Sequence, residues 1–400
     1  MIRINSNITF RMTGFRKVLM FFSAMFFVLV AYRFAVGLSI TNLSDAWPWG
    51  LWTVIDVKLG IALAAGGFTT AGIYYVLGIK KIESVVKPAL LTAWLGYCMV
   101  ALGLLVDLGR WYGFWHPIVS WGHHSVMFEL YMCVLLYTVV LTAEFAPIFF
   151  DGIGFKRTAK FFVRLTGFLV IAGIVLSTMH QSSLGSMYVL MAGRLDRLWW
   201  TMALPILYFS SAVAVGPAVV TCESALSGKA YKHEWDNEAM PFLAKWSGYV
   251  LSFYFVARIV DLIVRDQFTR LFTTFDAQTF MCLLELIIGS VLPLLFFWSY
   301  NVSGKFMDKR MAVRNAIFII LGVVLNRTNV VITGMWKSAG TSYFPSLQEI
   351  LITVGLTSFG ILIYLFIAEN FGVFTPHGHG AEYEDVSVRS GVGAGGVPTT

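Results

Sequence analysis

His123 and His124 stand side by side, five residues ahead of Glu129 and sixteen beyond Asp107, in the stretch DLGRWYGFWHPIVSWGHHSVMFELYMCVLLYTVVLTAE. Arg110 follows Asp107, and Trp111, Trp115 and Trp121 crowd the segment between the two charged ends. Reduction of a quinone takes two electrons and two protons. It asks for a donor to each carbonyl, a proton source and a flat apolar slot. Histidine suits the proton step because its pKa lies near 7. A nearby carboxylate can hold its tautomer or relay protons. His123, His124, Asp107 and Glu129 are therefore the candidate catalytic set, with Arg110 and Trp121 as candidate quinone contacts. Blander readings stand beside these. Paired histidines can cap a helix, tryptophans can form an interfacial belt, and Arg110 can simply pair with Asp107.

The elements that carry these residues are long and apolar. The chain has 400 residues, 58% of them hydrophobic and 13% charged. Its mean hydropathy is +0.74. A soluble domain carries about 25% charged residues. Several runs reach the roughly 20 apolar residues that cross a bilayer. The expectation is an all-α, polytopic membrane protein of about ten helices. These are read over about 18–40, 52–78, 88–108, 122–147, 161–180, 199–221, 246–264, 277–299, 315–333 and 347–369. Pro147 is expected to end the fourth, and 222–245 to form a long polar loop.

Of the 29 Lys and Arg residues, 19 fall in the N-terminal segment, the 80–87, 150–164, 222–245 and 300–314 segments and the C-terminal tail. Basic residues mark the cytoplasmic side, so both termini are expected there. The +7 net charge is then a topology signal, with no nucleic acid implied. The tail from Pro376, polar and Gly-rich, is expected to be disordered. The four cysteines are far apart and form no CxxC pair, so this chain offers no familiar set of ligands for zinc or an iron–sulfur cluster. No metal site is expected.

With that orientation, Arg33, Asp56, Lys58, Asp107, Glu129, Arg258, Asp261, Glu285 and Arg327 all fall toward the outer ends of their helices. Charges inside apolar helices usually face a protein interior and mark a pathway or a ligand. Asp56 and Lys58 join the candidate cofactor contacts, as does His180, which could equally be a polar cap. The inner half shows Glu144 and little else. Glu144 lies 15 residues past Glu129, roughly 22 Å along a helix. Tyr137 lies between, which suggests a proton path through Glu129, Tyr137 and Glu144. An internal echo is also visible. VDLGR at Asp107 matches VDLIVR at Asp261, and Glu129 and Glu285 follow 22 and 24 residues later. This suggests two parallel four-helix bundles, read as 1–150 and 151–300, then two extra helices in 301–370 and the tail 371–400. A b-type cytochrome pairing His180 with His123 or His124, and a secondary transporter, are the rival uses of the same residues.

The strings PWGLW, DVKLGIALAAGGF, HHSVMFELYMCVLLYTVVLTAEFAP and STMHQSSLGSMY resemble the NrfD/polysulfide-reductase membrane-subunit family over about residues 15–370. They are most similar to its ten-helix branch, found in periplasmic hydrogenase complexes and in the menaquinone reductase complex of sulfate reducers. The resemblance implies a haem-free, cluster-free quinone-binding subunit of the bacterial inner membrane. Its partners would be a periplasmic iron–sulfur subunit, a multihaem cytochrome c and a molybdopterin-like subunit, with menaquinone as the cofactor. Menaquinone reduction is the favoured direction, with quinol oxidation feeding a terminal reductase as the alternative.

Overall fold

A backbone in hydrocarbon has no water to bond, so its N–H and C=O groups must pair within the segment, and a helix does this. The computed structural model describes residues 10–231, 234–303, 307–371 and 373–374. Among them lie ten helices long and apolar enough to cross a membrane. These are α1 (Gly14–Ile40), α2 (Trp52–Val76), α3 (Lys80–Asp107), α4 (Val126–Gly152), α5 (Lys156–Val189), α6 (Leu204–Tyr231), α7 (Ala239–Val264), α8 (Ala277–Val302), α9 (Lys309–Ala339) and α10 (Leu347–Asn370). The expected disordered tail lies outside the described residues. Because the spans alternate in direction, the described ends of the chain share one face, termed here the terminus face.

Local chemistry sets the ends. Ser125 caps α4, its Oγ accepting from the Phe128 N–H at 3.4 Å. The helix therefore starts after His123 and His124, which sit in the preceding turn rather than on its first residues. Ser346 and Glu349 close a capping box at the head of α10, which satisfies two otherwise unpaired N–H groups. Asp276 caps α8 and also takes the Lys337 ammonium at 2.6 Å. Partial burial raises its pKa, but the Lys337 and Thr279 donors outweigh this and hold the carboxyl well below the usual range.

Several extents differ from the expectation, three of them near candidate residues. Pro147 lies inside α4, which continues to Gly152. Helix α5 runs on through His180 to Val189. Helix α6 reaches Tyr231, so Glu223 is a helical residue within the bundle and not part of a polar loop. Low local hydropathy hid this last extension, in which Glu223 is accommodated by the hydroxyls of Thr92 and Tyr364 on other helices.

Helix α1 packs on α10, and α10 on α3. Helix α2 lies against α3, α5 and α6; α6 lies against α5, α7 and α9. Small residues permit the closest approaches. Gly289 of α8 and Gly322 of α9 are in such contact that a Cβ on either would overlap the other's Cα. Gly216 of α6 fits against Ala65 and Thr69 of α2 in the same manner. Wider π turns interrupt the helices at Trp52–Leu59, Gly72–Val76, Ile287–Val291 and Asn329–Thr333. Such turns are frequent at functional sites, and here they hold Asp56 and Lys58, follow Glu285 and begin at Asn329.

Candidate functional site

The echo read from Asp107 and Asp261 extends to hydrogen bonds. At the start of α2, Thr53 Oγ1 donates to Asp107 Oδ2 at 2.9 Å; just before α6, Thr201 Oγ1 donates to Asp261 Oδ1 at 2.5 Å. On α4, Glu129 accepts from Ser183 of α5 at 2.5 Å; on α8, Glu285 accepts from Asn329 of α9 at 2.8 Å. Two residues before these donors, Gln181 bonds the Ile61 carbonyl of α2, and Arg327 bonds the Tyr208 carbonyl of α6, each at 3.2 Å. The bonds pair α2–α5 with α6–α9. This pairing runs one helix out of step with a division at residues 150 and 300.

The two copies differ in how completely their carboxylates are satisfied. Asp261 is gripped by Arg265 through both oxygens, with Arg258 at 3.6 Å. Glu285 receives Trp199 at 2.9 Å and Asn326 and Asn329 at 2.8 Å each, so both its oxygens are taken. In the first copy Asp107 takes the Thr53 hydroxyl and faces Arg33 of α1, while Arg110 is exposed. Glu129 takes the Ser183 hydroxyl and is only half-buried.

The candidate residues fall into three groups. Asp56 and Asp107 lie close enough for their charges to interact, and Thr353 of α10 donates to Asp56 at 2.9 Å. Arg33, fully buried, donates to the Leu108 carbonyl at 2.6 Å and has Nε and Nη1 without partners. The second group is exposed. His123, His124, Arg110 and Trp121 sit on the loop between α3 and α4. The Trp121 and His123 rings meet edge to face at 5.7 Å.

The third group is a buried polar column. Tyr97 of α3 bonds Nδ1 of His180 at 3.3 Å and meets the Tyr137 ring edge-on at 4.5 Å. Tyr137 and Glu144 Oε1 both abut Gly173 of α5. Ser177, Gln181 and Tyr188 extend this face of α5, each with a buried oxygen lacking a partner. Lys58 completes it. Its Nζ is buried without a hydrogen-bond partner, 3.5 Å from the centre of the Tyr188 ring. Tyr188 stacks on Tyr208 at 6.4 Å, and Arg327 lies 3.7 Å over the far ring. Sequence reasoning did not find Thr53, Tyr97 or Ser183, since a lone hydroxyl in an apolar run carries no signal until its partner is known.

The family model described as "Polysulphide reductase, NrfD" matches residues 39–339. The chain belongs to the NrfD family. A relative from Nitratidesulfovibrio vulgaris is 34% identical over 371 residues, 90% of this chain and 93% of that protein. The Escherichia coli "Probable Ni/Fe-hydrogenase 2 b-type cytochrome subunit" is 28% identical, covering 87% of this chain and 89% of its own length. The "Menaquinone reductase, integral membrane subunit" of N. vulgaris is 31% identical over 62% of each chain. The names of the last two relatives describe subunits of a hydrogenase and of a menaquinone reductase. The cytochrome in the E. coli name bears on the haem alternative. Among the described residues of this NrfD protein, His180 is the single histidine inside a span, and its Nδ1 is engaged by Tyr97.

Proposed function

We propose that this chain exchanges electrons between redox subunits docked on the face opposite the termini and menaquinone held in its first repeat, with menaquinone reduction as the working direction. The carrying observation is the difference between the copies. One framework of hydrogen bonds occurs twice, and at its matched positions only Asp107 and Glu129, beside a loop of histidine and tryptophan, keep unused valence. The names of the menaquinone reductase and hydrogenase relatives support the same reading. Quinol oxidation feeding a terminal reductase is the alternative direction.

The residues fit a quinone. Its carbonyls are acceptors, and Nζ of Lys58 and Nε and Nη1 of Arg33 are buried donors without acceptors. Menaquinone supplies the two-electron carrier. Lys58, Arg110 and His180 would hold and orient it, with Trp121 against its apolar face. His123, His124, Asp56, Asp107 and Glu129 would donate or relay protons. No haem or cluster is assigned to this chain. An iron–sulfur subunit, with cytochrome c and molybdopterin-type subunits behind it, would supply electrons. Protons are assigned to a path from Glu144 through Tyr137 to Glu129. The shared contact of Glu144 and Tyr137 with Gly173 supports its first step, and the Tyr97–His180 pair lies beside it.

A photoreactive menaquinone analogue added to the purified complex tests the site. Label is expected on α2–α4 and the 108–125 loop. Label confined to α6–α9 would overturn the assignment. Orientation in the inner membrane, with cytoplasmic termini, is tested by reporter fusions. A C-terminal fusion and one in the 190–203 loop are expected to report opposite sides; matching signals would refute it.

A further inference from the structure

Glu223 lies near the terminus-face end of α6, at the opposite end of the bundle from Asp56, Asp107 and Glu129. Its Oε1 accepts the Thr92 hydroxyl of α3 and the Tyr364 hydroxyl of α10, each at 2.7 Å. Its Oε2 is buried with no partner. Eight residues on, about 12 Å nearer the terminus face, Tyr231 has a buried hydroxyl that is also without a partner. Tyr231 is within electrostatic reach of Tyr364, Glu369 and Arg16. Glu369 of α10 binds Arg16 of α1 at 2.5 Å through one oxygen, and its other oxygen is buried and unpaired. The pair sits at the rim, with side chains 5% and 16% exposed.

These groups line one polar seam between α1, α6 and α10 near the terminus face. It runs from Arg16 and Glu369 past Tyr231 and Tyr364 to Glu223 and Thr92. A buried carboxylate oxygen without a donor is costly. Such oxygens ordinarily take water, which needs two to four polar partners. Three unpaired oxygens are spread along the seam, about 12 Å separating Glu223 from Tyr231 along α6, so a file of waters and not a single one would satisfy them. An isolated structural ion pair explains Arg16 and Glu369, but it leaves Glu223 and Tyr231 unexplained. Short acidic side chains buried at this depth usually mark a pathway.

From these contacts we infer that the seam between α1, α6 and α10 is a hydrated proton-uptake route from the terminus face, ending on Glu223 and separate from Glu144. Water at the Arg16–Glu369 rim passes a proton along the seam to the Glu223 carboxylate. The carboxylate returns to its charged form by releasing that proton toward α3. Five residues beyond Thr92 on α3, about 7.5 Å along the axis, the Tyr97–His180 pair is the next buried polar group. Helix α10 thereby has a role that the paired repeats do not provide. The inference rests on the proposed quinone reaction for its use, but not for its detection.

The test uses the whole complex. Infrared difference spectra after a pH jump need no turnover. A carboxyl C=O band is expected that is absent in Glu223→Gln and shifted in Tyr364→Phe, which deletes one hydrogen bond. An unchanged spectrum in both variants would overturn the inference, whatever the reaction proves to be. The second measurement uses proteoliposomes carrying an electron donor on the face opposite the termini, a menaquinone analogue, and a pH dye in the terminus-face compartment. Glu223→Gln is expected to slow dye-reported uptake about 100-fold, and Glu369→Gln to slow it less. Uptake at the wild-type rate in an assembled Glu223→Gln complex would remove the route. Should Glu223→Gln fail to assemble, Tyr364→Phe and Glu369→Gln decide by the same criterion. A wild-type complex that fails to reduce the analogue counts against the proposed function alone, and the infrared band then decides the seam.

Discussion

Asp107→Asn is expected to slow menaquinone turnover by about 100-fold, the scale of losing a positioned acid or base. The complex should still assemble, and its partner clusters should still be reduced at the wild-type rate. Asparagine keeps the shape of the side chain and an oxygen for the Thr53 hydroxyl, so the change deletes the titrating group and little else. Thr53→Val, which removes the hydroxyl at 2.9 Å, should slow turnover by a smaller factor. The decisive comparison is Asp261→Asn. That position has the same hydroxyl contact in the second repeat, but Arg265 and Arg258 already neutralise it. Its replacement should lower stability and leave turnover within about two-fold of wild type, since no acid–base step depends on it. Equal losses of turnover at the two aspartates would mean that the copies are functionally alike and would remove the argument for the first.

Gly289→Val is expected to abolish accumulation of folded protein. A branched side chain there meets the backbone of Gly322, and backbone cannot rotate away as a side chain can. Overpacking a filled core costs about 1–3 kcal/mol and occasionally more. Here α8 and α9 must also part, which pulls Asn326 and Asn329 from Glu285. A buried carboxylate stripped of its partners costs about 3–5 kcal/mol. The two effects together consume a large share of a typical stability. The check is the yield and thermal unfolding midpoint of the detergent-solubilised complex. Gly193→Val, where a Cβ meets nothing within 4 Å, is the matched control. Equal midpoints for the two variants would contradict the packing argument.

The ten spans were readable because lipid imposes one answer on a long uncharged run. The pairing of Asp107 with Asp261 and of Glu129 with Glu285 was readable because rare charges in apolar helices stand out. Other features depend on partners distant in the chain. Nothing near Lys58 in the sequence announces Tyr188, 130 residues away. Glu223 was assigned to a loop because CESALSGKAY has low hydropathy. The hydroxyls that make its burial tolerable come from Thr92 and Tyr364. The start of α4 could have been read more closely. Ser125 is a preferred cap residue, and its position sets His123 and His124 outside the helix. The candidate set from this stretch therefore divides between a buried half and an exposed half.

Helices α2 and α6 occupy matching positions in the two copies, and they touch each other, Gly216 lying against Ala65 and Thr69. Contact between equivalent elements is the arrangement of an isologous, two-fold symmetric pair. Such a contact is what a homodimer whose subunits had been joined end to end would show. An even number of crossings per unit lets the second unit enter the membrane the same way round as the first, so such a fusion needs no inversion. Two identical subunits must change together, since one gene specifies both. Once joined, each half can vary alone. One half can then fill the carboxylates of Asp261 and Glu285 with Arg265, Trp199 and two asparagines, while the other leaves those of Asp107 and Glu129 available.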